Sequence, residues 1–225
     1  VTKVVIFNGN NPRSGKGTCA KILSEWAEEQ GYSYQTPEFK DKLIELTATT
    51  LGITVEEFLD GYDSTASDFV QDNKELFPVE TLIHAYTKDW WKDVCIYGLG
   101  DKRVSKRGVL IHVSENVIKP NFGEDYFGKA LVESISPMVD FAFVADGGFV
   151  PEVEAVVHTV GLGNVLVVNL YRDVDNPAKD SRKLLNGEDF HWTLEPEFVK
   201  VENNSTIDDL RKQLIENVTP WLERV

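Results

Sequence analysis

Cysteine is nearly missing from this 225-residue chain. Cys19 and Cys95 are the two present, which make no disulfide framework. Cys19 falls within a helical pattern and reads as a buried free thiol, and reducing, intracellular surroundings fit such sparse usage. Histidine is also scarce: His84, His112, His158 and His191 are scattered without metal-ligand spacing, so no zinc site is expected. No apolar run approaches membrane-spanning length and no signal peptide opens the sequence, so a cytoplasmic protein with no membrane partner is expected. Positive charge is in deficit, with 23 Lys and Arg against 37 Asp and Glu, a formal net charge of −14. A duplex-binding face needs electropositive surface, and this balance argues against one. A small anion held in a locally basic pocket is still permitted. Repeats, low-complexity tracts and interdomain linkers are absent too. What remains is core material: 42% of the residues are apolar and 12 are Phe, enough for one α/β domain.

The residues with most chemical content lie near the start. Val4-Val5-Ile6-Phe7 is an apolar run, Asn8 to Thr18 a glycine-bearing turn, and Cys19 to Ala27 a helical pattern. Strand, turn with Gly15-Lys16-Gly17-Thr18, then helix is the context a phosphate-binding P-loop requires. Backbone N–H groups and the helix N-terminus would cradle the phosphates of a nucleotide, and Lys16 would reach the β- and γ-phosphates. Two departures from the general motif stand out. Gly17 occupies the place of the hydroxyl residue, so Thr18 takes over its role. The first glycine would fall on Asn10, whereas Gly9 comes one residue early, and Asn tolerates positive φ.

Further along, helical spacing continues to Gly31 and Tyr32 to Gln35 reads as a short second strand. Pro37 opens a helix that ends before Gly52, and Thr54-Val55-Glu56-Glu57 is a capping box for another. Pro78 to Trp91 is expected to be helical, and residues 98–107 a loop whose Lys102, Arg103, Lys106 and Arg107 could close on ATP. Val109 to Ile118 is predicted as a helix stopped by Pro120, and Tyr126 to Ile135 as one stopped by Pro137. Phe141 to Ala145 and Val165 to Leu170 are continuous apolar runs, typical of strands buried on both faces of a parallel sheet. Pro151 suits the first position of a helix running to Val160. Phe198 to Val201 is a weaker strand. Ser205 to Asp208 caps a final amphipathic helix that uses Ile207, Leu210, Leu214 and Val218.

This alternation predicts a doubly wound parallel α/β sheet of the P-loop NTPase type, a single domain over 1–225 with a helical insertion at about 32–80. Ligands of such sheets bind beyond the carboxyl ends of the strands. Attention therefore falls on Gly9 to Thr18, Pro37 to Lys40, Asp146 to Phe149, and Tyr171-Arg172. Arg13 and Lys16 could spread positive charge round a moving phosphoryl group, and Asp146, at a strand end, could hold Mg²⁺ directly or through water. Lys40, Arg107 and Lys119 are candidate anion clamps. Tyr62, Trp90, Trp91 and Phe127 could stack on a base.

These segments together resemble the phage deoxynucleoside monophosphate kinases. The likeness is low in identity but runs from the P-loop to the last helix. Arg13-Ser14-Gly15-Lys16 with Thr18 is similar to the family loop, and Pro37-Glu38-Phe39-Lys40-Asp41 to the segment after its second strand. Gly61-Tyr62-Asp63 resembles part of its insertion. Arg107, Leu110, His112, Glu115 and Lys119, followed by Phe122-Gly123-Glu124-Asp125-Tyr126-Phe127, follow a distinctive family pattern. Val144-Ala145-Asp146-Gly147-Gly148-Phe149 resembles its strand-end aspartate segment, Leu170-Tyr171-Arg172 its next strand end, and Val201 to Leu210 its closing strand-to-helix sequence.

The resemblance implies transfer of the γ-phosphoryl of ATP, with Mg²⁺, to a deoxynucleoside 5′-monophosphate, often by a homodimer, in phage nucleotide metabolism within the host cytoplasm. Lys16, Arg13 and Asp146 would be catalytic. Gly9, Asn10, Asn11, Pro12, Arg13, Ser14, Gly15, Lys16, Gly17, Thr18 and Arg172 would bind ATP, and Thr18 and Asp146 the metal. Lys40, Asp41, Asp63, Arg107 and Lys119 would hold the acceptor. One departure is serious: the family usually has an arginine where Gly148 stands, so Arg172 or Arg182 would substitute or the acceptor would differ. Two other readings follow. One is a kinase acting on a hydroxymethylated pyrimidine in phage DNA, with Asp41, Asp63 or Asp146 as base. The other is a nucleotide-binding protein without catalysis.

Overall fold

The computed structural model describes residues 2–9, 14–60, 62, 76–77, 104–173 and 184–224. In chain order the first elements are β1 (Lys3–Gly9), α1 (Lys16–Gln30), β2 (Tyr34–Gln35), α2 (Phe39–Leu51), α3 (Val55–Leu59), β3 (Leu76–Phe77) and β4 (Val104–Ser105). A helical run follows, made of α4 (Lys106–His112), a π-helical segment (Val113–Ile118) and α5 (Lys119–Phe122). The chain closes with α6 (Tyr126–Ser134), β5 (Phe141–Val144), α7 (Val150–Val160), β6 (Val165–Tyr171), β7 (Glu197–Glu202), α8 (Ile207–Asn217) and α9 (Thr219–Leu222). They fall into two compact units, Val1–Phe39 with Asp125–Val225, and Lys40–Glu124.

The first unit is built on a five-stranded sheet in the order β2-β5-β1-β6-β7, with every pairing parallel. Strand alternation sorts its side chains into two cores. Val5, Phe7, Phe143, Leu166 and Val168 pack with Leu23 of α1, Leu210 and Leu214 of α8 and Trp221 of α9. Val4, Ile6, Val144 and Val167 pack on the other face with Leu131 of α6 and Val153, Val156 and Val157 of α7. Helices cover both faces, which is why the central strands are apolar throughout rather than alternating. The α6–α7 packing is close: a Cβ on Gly128 would lie 2.3 Å from the Glu152 carbonyl oxygen. Because α1 leaves β1 toward one face and α7 leaves β5 toward the other, the connections diverge beyond the ends of these neighbouring strands. Such divergence opens the crevice in which sheets of this kind take ligands.

The second unit holds most of α2, then α3, the antiparallel pair β3 and β4, and the helical run. Thr54 caps α3 with the predicted reciprocal box to Glu57. Two expectations need correction here. Lys106 and Arg107 are not loop residues: they open α4, and Lys106 Nζ donates to the carbonyls of Glu57 (3.3 Å) and Asp60. Lys102 and Arg103, like the expected helix from Pro78 to Trp91, lie outside the described residues. Nor does Pro120 stop the helix, which continues to Phe122 and ends at Gly123, φ +99°. Proline lacks an N–H and collides with the carbonyl four residues back. The preceding π turn, in which Lys119 N–H reaches Ser114 O, widens the backbone there and accommodates the ring.

Elsewhere in the first unit, Gly31 at φ +78° closes α1, Pro151 lies in the first turn of α7, and Thr206 caps α8. The short α9 extends the chain beyond the expected last helix. Ile207 is a further correction. Placed at the first position of α8, it is 66% exposed rather than part of the apolar stripe.

Candidate functional site

The local build of the site begins with β1, whose last residues are held in place by amide chemistry. Asn8 lies beside Asn169 in the register of β1 and β6, and both side chains share the strand face of Ile6 and Val167. Asn8 Nδ2 donates to Gly147 O (3.3 Å), Leu185 N–H donates to Asn8 Oδ1 (3.0 Å), and Asn169 Nδ2 donates to Leu185 O (2.7 Å). Both buried amide NH₂ groups thus find backbone acceptors, Asn8 on Gly147 and Asn169 on Leu185. Gly147 is pressed against β1, since a Cβ there would meet Ile6 Cγ2 at 2.2 Å. Gly148 beside it is buried.

Ser14 and Lys16, at the start of α1, lie close to Gly9, the last residue of β1. A Cβ on Gly9 would come within 2.1 Å of Ser14 Oγ and 3.5 Å of Lys16 Nζ. Ser14 is fully buried, and Lys16 Nζ lies 3.4 Å from its hydroxyl. Gly15, the N-cap of α1, has φ +103° and ψ 13°, a conformation that L side chains rarely adopt. Cys19 N–H then reaches the Gly15 carbonyl (2.9 Å), the first bond of the α1 ladder. α1 starts with no side-chain cap and no acidic residue in its first turn. The positive end of its dipole therefore meets no carboxylate from that turn. Thr18 and Gly17 are exposed in the turn. Asn10, Asn11, Pro12 and Arg13 lie outside the described residues.

Burial pushes the thiol of Cys19, one turn into α1, up to about 12, and the nearby Lys16 charge offsets this only in part. The expected bland role of that cysteine is the one observed: free and buried. Asp146 lies in the turn after β5. Its Oδ1 accepts the Phe39 N–H at 2.9 Å, so the carboxylate caps the first turn of α2. Arg172 follows β6 and is exposed.

Gly9, Ser14, Gly15 and Lys16 therefore lie close together where β1 ends and α1 begins. Lys40, Asp41, Arg107 and Lys119 belong to the second unit. Within it Lys119 is buried, its side chain 4% exposed, and pairs with Glu115 at 2.6 Å and with Glu124 at 3.8 Å. Burial lowers the His112 pKa, and its Nδ1 lies 3.1 Å from the Asn116 side-chain amide nitrogen. Asp63, Trp90, Trp91 and Arg182 lie outside the described residues, and Phe127 is core.

Reading the sequence alone missed three asparagines. Asn8 and Asn169 could have been found as polar residues interrupting otherwise apolar strands. Asn203 follows β7 and satisfies the same strand-end rule that selected Asp146 and Arg172. Its Nδ2 donates to Ser14 O at 2.8 Å. Compared with known proteins, the chain matches no family model and no curated sequence.

Among the described residues no helix is long and apolar enough to cross a membrane, and no group of three or more His, Cys, Asp or Glu is arranged to hold a metal. Mg²⁺ carried on nucleotide phosphates needs no such group, because one or two oxygen ligands suffice. The Thr18 hydroxyl and the Asp146 carboxylate are oxygen donors of the right hardness for it.

Proposed function

We propose that this chain is a P-loop-type kinase that transfers the γ-phosphoryl group of ATP to a deoxynucleoside 5′-monophosphate. The observation that carries the reading is the closeness of Gly9, at the end of the central strand, to Ser14 and Lys16 at the start of α1, which the chain enters through a left-handed Gly15. Lys16 Nζ lies 3.4 Å from the Ser14 hydroxyl. A helix N-terminus with an ammonium beside it is suited to receive the β- and γ-phosphates.

In this reading the N–H groups of Gly15, Lys16 and Gly17 hold the phosphates, and Lys16 with Arg13 offsets the charge that spreads over the transferring oxygens. Thr18 and Asp146 are the residues that would hold Mg²⁺, which would supply positive charge to offset that of the phosphates. Asp146 also fixes the start of α2 through Phe39 N–H, so its carboxylate is oriented before any ligand arrives. The acceptor role of Lys40, Asp41, Asp63, Arg107 and Lys119 rests on the family resemblance. Of these, Lys119 already has Glu115 opposing its charge. The acceptor phosphate is ionised near neutral pH, and no general base is required.

The test is a coupled assay with ATP, Mg²⁺ and each deoxynucleoside monophosphate in turn. Acceptor-dependent release of ADP is expected, and its absence with every acceptor sinks the proposal. The buried Gly148, which offers no cation where the family has one, favours a second reading with a hydroxymethylated pyrimidine of phage DNA as acceptor. Labelled phosphate passing to a hydroxymethylated oligonucleotide but not to free monophosphates would select it. Tight ATP binding without turnover on either would mark a non-catalytic nucleotide-binding protein.

A further inference from the structure

The turn after β7 carries two consecutive asparagines whose amides serve two different strand ends. Asn203 Nδ2 donates to Ser14 O (2.8 Å), and its backbone N–H donates to Tyr171 O (2.8 Å). Asn204 Oδ1 accepts the Asp173 N–H (2.8 Å), and its Nδ2 donates to Asp173 Oδ2 (3.0 Å). One turn therefore ties the exit of the β1 loop to the end of β6. Space reinforces the link: a Cβ on Gly15 would come 2.4 Å from Asn203 Nδ2, so the amide lies directly over the residue in left-handed conformation.

We infer that Asn203 is a positioning residue for the phosphate loop, fixing the Ser14–Gly15 peptide so that the N–H groups opening α1 face the ligand. The physical logic is orientation. The Ser14 carbonyl and the Gly15 N–H belong to one planar peptide unit, and rotation of that unit at Gly15, the most permissive residue there, would swing the following N–H groups away. A half-buried amide bonded to Ser14 O removes that freedom before ligand binds, which is where preorganised donors gain their effect. Asn203 touches neither phosphate nor metal in this account. Its functional consequence rests on the kinase reading, whereas its effect on the loop does not.

The experiment uses the full chain with Asn203→Leu, which keeps the branched side-chain skeleton but has no donor, and with Asn204→Ala as the control whose amide serves Asp173. Amide hydrogen exchange is measured on the nucleotide-free protein. Asn203→Leu is expected to speed exchange in residues 14–18 while leaving α8 protected, and Asn204→Ala to leave 14–18 as in the wild type. Unchanged exchange at 14–18 in Asn203→Leu, or equal loosening in both variants, overturns the inference whether or not ATP binds. With turnover established, the KM for ATP should rise about fivefold to tenfold in Asn203→Leu, as expected from losing one neutral hydrogen bond. The KM for the acceptor should stay constant. A fall in kcat alone, with both KM values unchanged, would indicate lost folded protein and refute the positioning role. Failure of the wild type to turn over any acceptor would count against the kinase reading and leave the exchange result to decide the role of Asn203.

Discussion

Gly9 and Cys19 show how strongly single positions near the loop are constrained. At Gly9 the space for a Cβ is already occupied by Ser14, so Gly9→Ala must displace that side chain. We expect that variant to keep its far-ultraviolet circular dichroism, because β1 is anchored by Val5, Phe7 and Asn8, yet to lose nucleotide affinity by at least tenfold in calorimetry. Retained affinity would show that the turn carries no ligand. Cys19 makes a prediction about pH. Burial raises its folded pKa from 9.0 to about 12, so the folded state holds the thiol proton more tightly than the unfolded chain. The contribution to stability is constant below about pH 9 and is lost as pH rises from there toward 12, by up to about 1.4 kcal/mol per pH unit. Urea unfolding of Cys19→Ala should lack that alkaline slope. At pH 8 the thiol should resist alkylation until the protein unfolds, scored in a Cys95→Ser background.

At the scale of elements, the helical run from Lys106 to Phe122 shows a sequence signal overridden by local geometry. Pro120 reads as a stop, but the Val113–Ile118 π turn absorbs it. The same stretch carries an asymmetric ion pair, with the Lys119 side chain 4% exposed and the Glu115 side chain 48% exposed. Removing a partner from a buried charge costs more than removing one from a solvated charge. Glu115→Ala, which takes from the ammonium its 2.6 Å carboxylate, should therefore destabilise by about 2–3 kcal/mol. Lys119→Met, which leaves a half-solvated carboxylate and keeps an apolar stem, should cost about 1 kcal/mol or less. Urea midpoints of the two variants compare them directly, and equal costs would contradict the argument. Elements whose ends carry explicit chemical signals are the legible ones: Gly31 closing α1, Thr54 opening α3, Pro151 in α7 and Thr206 before α8. Ile207 was misread because a first-turn position can point to solvent even when its spacing fits the apolar stripe.

For the whole molecule, the parallel sheet with helices on both faces was legible because strands buried on two sides must be continuously apolar. If the kinase reading holds, ATP with Mg²⁺ binds the folded state alone and raises stability by mass action, about 2.7 kcal/mol at a hundredfold excess over Kd. Thermal unfolding with and without nucleotide should therefore show a clear upward shift in the wild type. Lys16→Ala should lose much of that shift and lower turnover on the order of 10²–10³-fold. An undiminished shift and rate in Lys16→Ala would remove the lysine from the mechanism. The net charge of −14 makes the low-salt background repulsive to anions, so adding salt should weaken nucleotide binding less than it would for a basic protein.

The sequence by itself determined the order of strands and helices in the first unit and the burial of Cys19, because period, composition and end signals are local properties. It could also point to Asp146 as a strand-end carboxylate. Only the tertiary structure decided that β5 and β6 flank β1, that Asp146 caps α2 through Phe39, and that Asn203 holds Ser14 across 189 residues of sequence. The physical reason is the same in each case. A hydrogen-bond partner distant in the chain leaves no period and no spacing behind, and an asparagine that orients a loop looks in sequence like any asparagine in a turn.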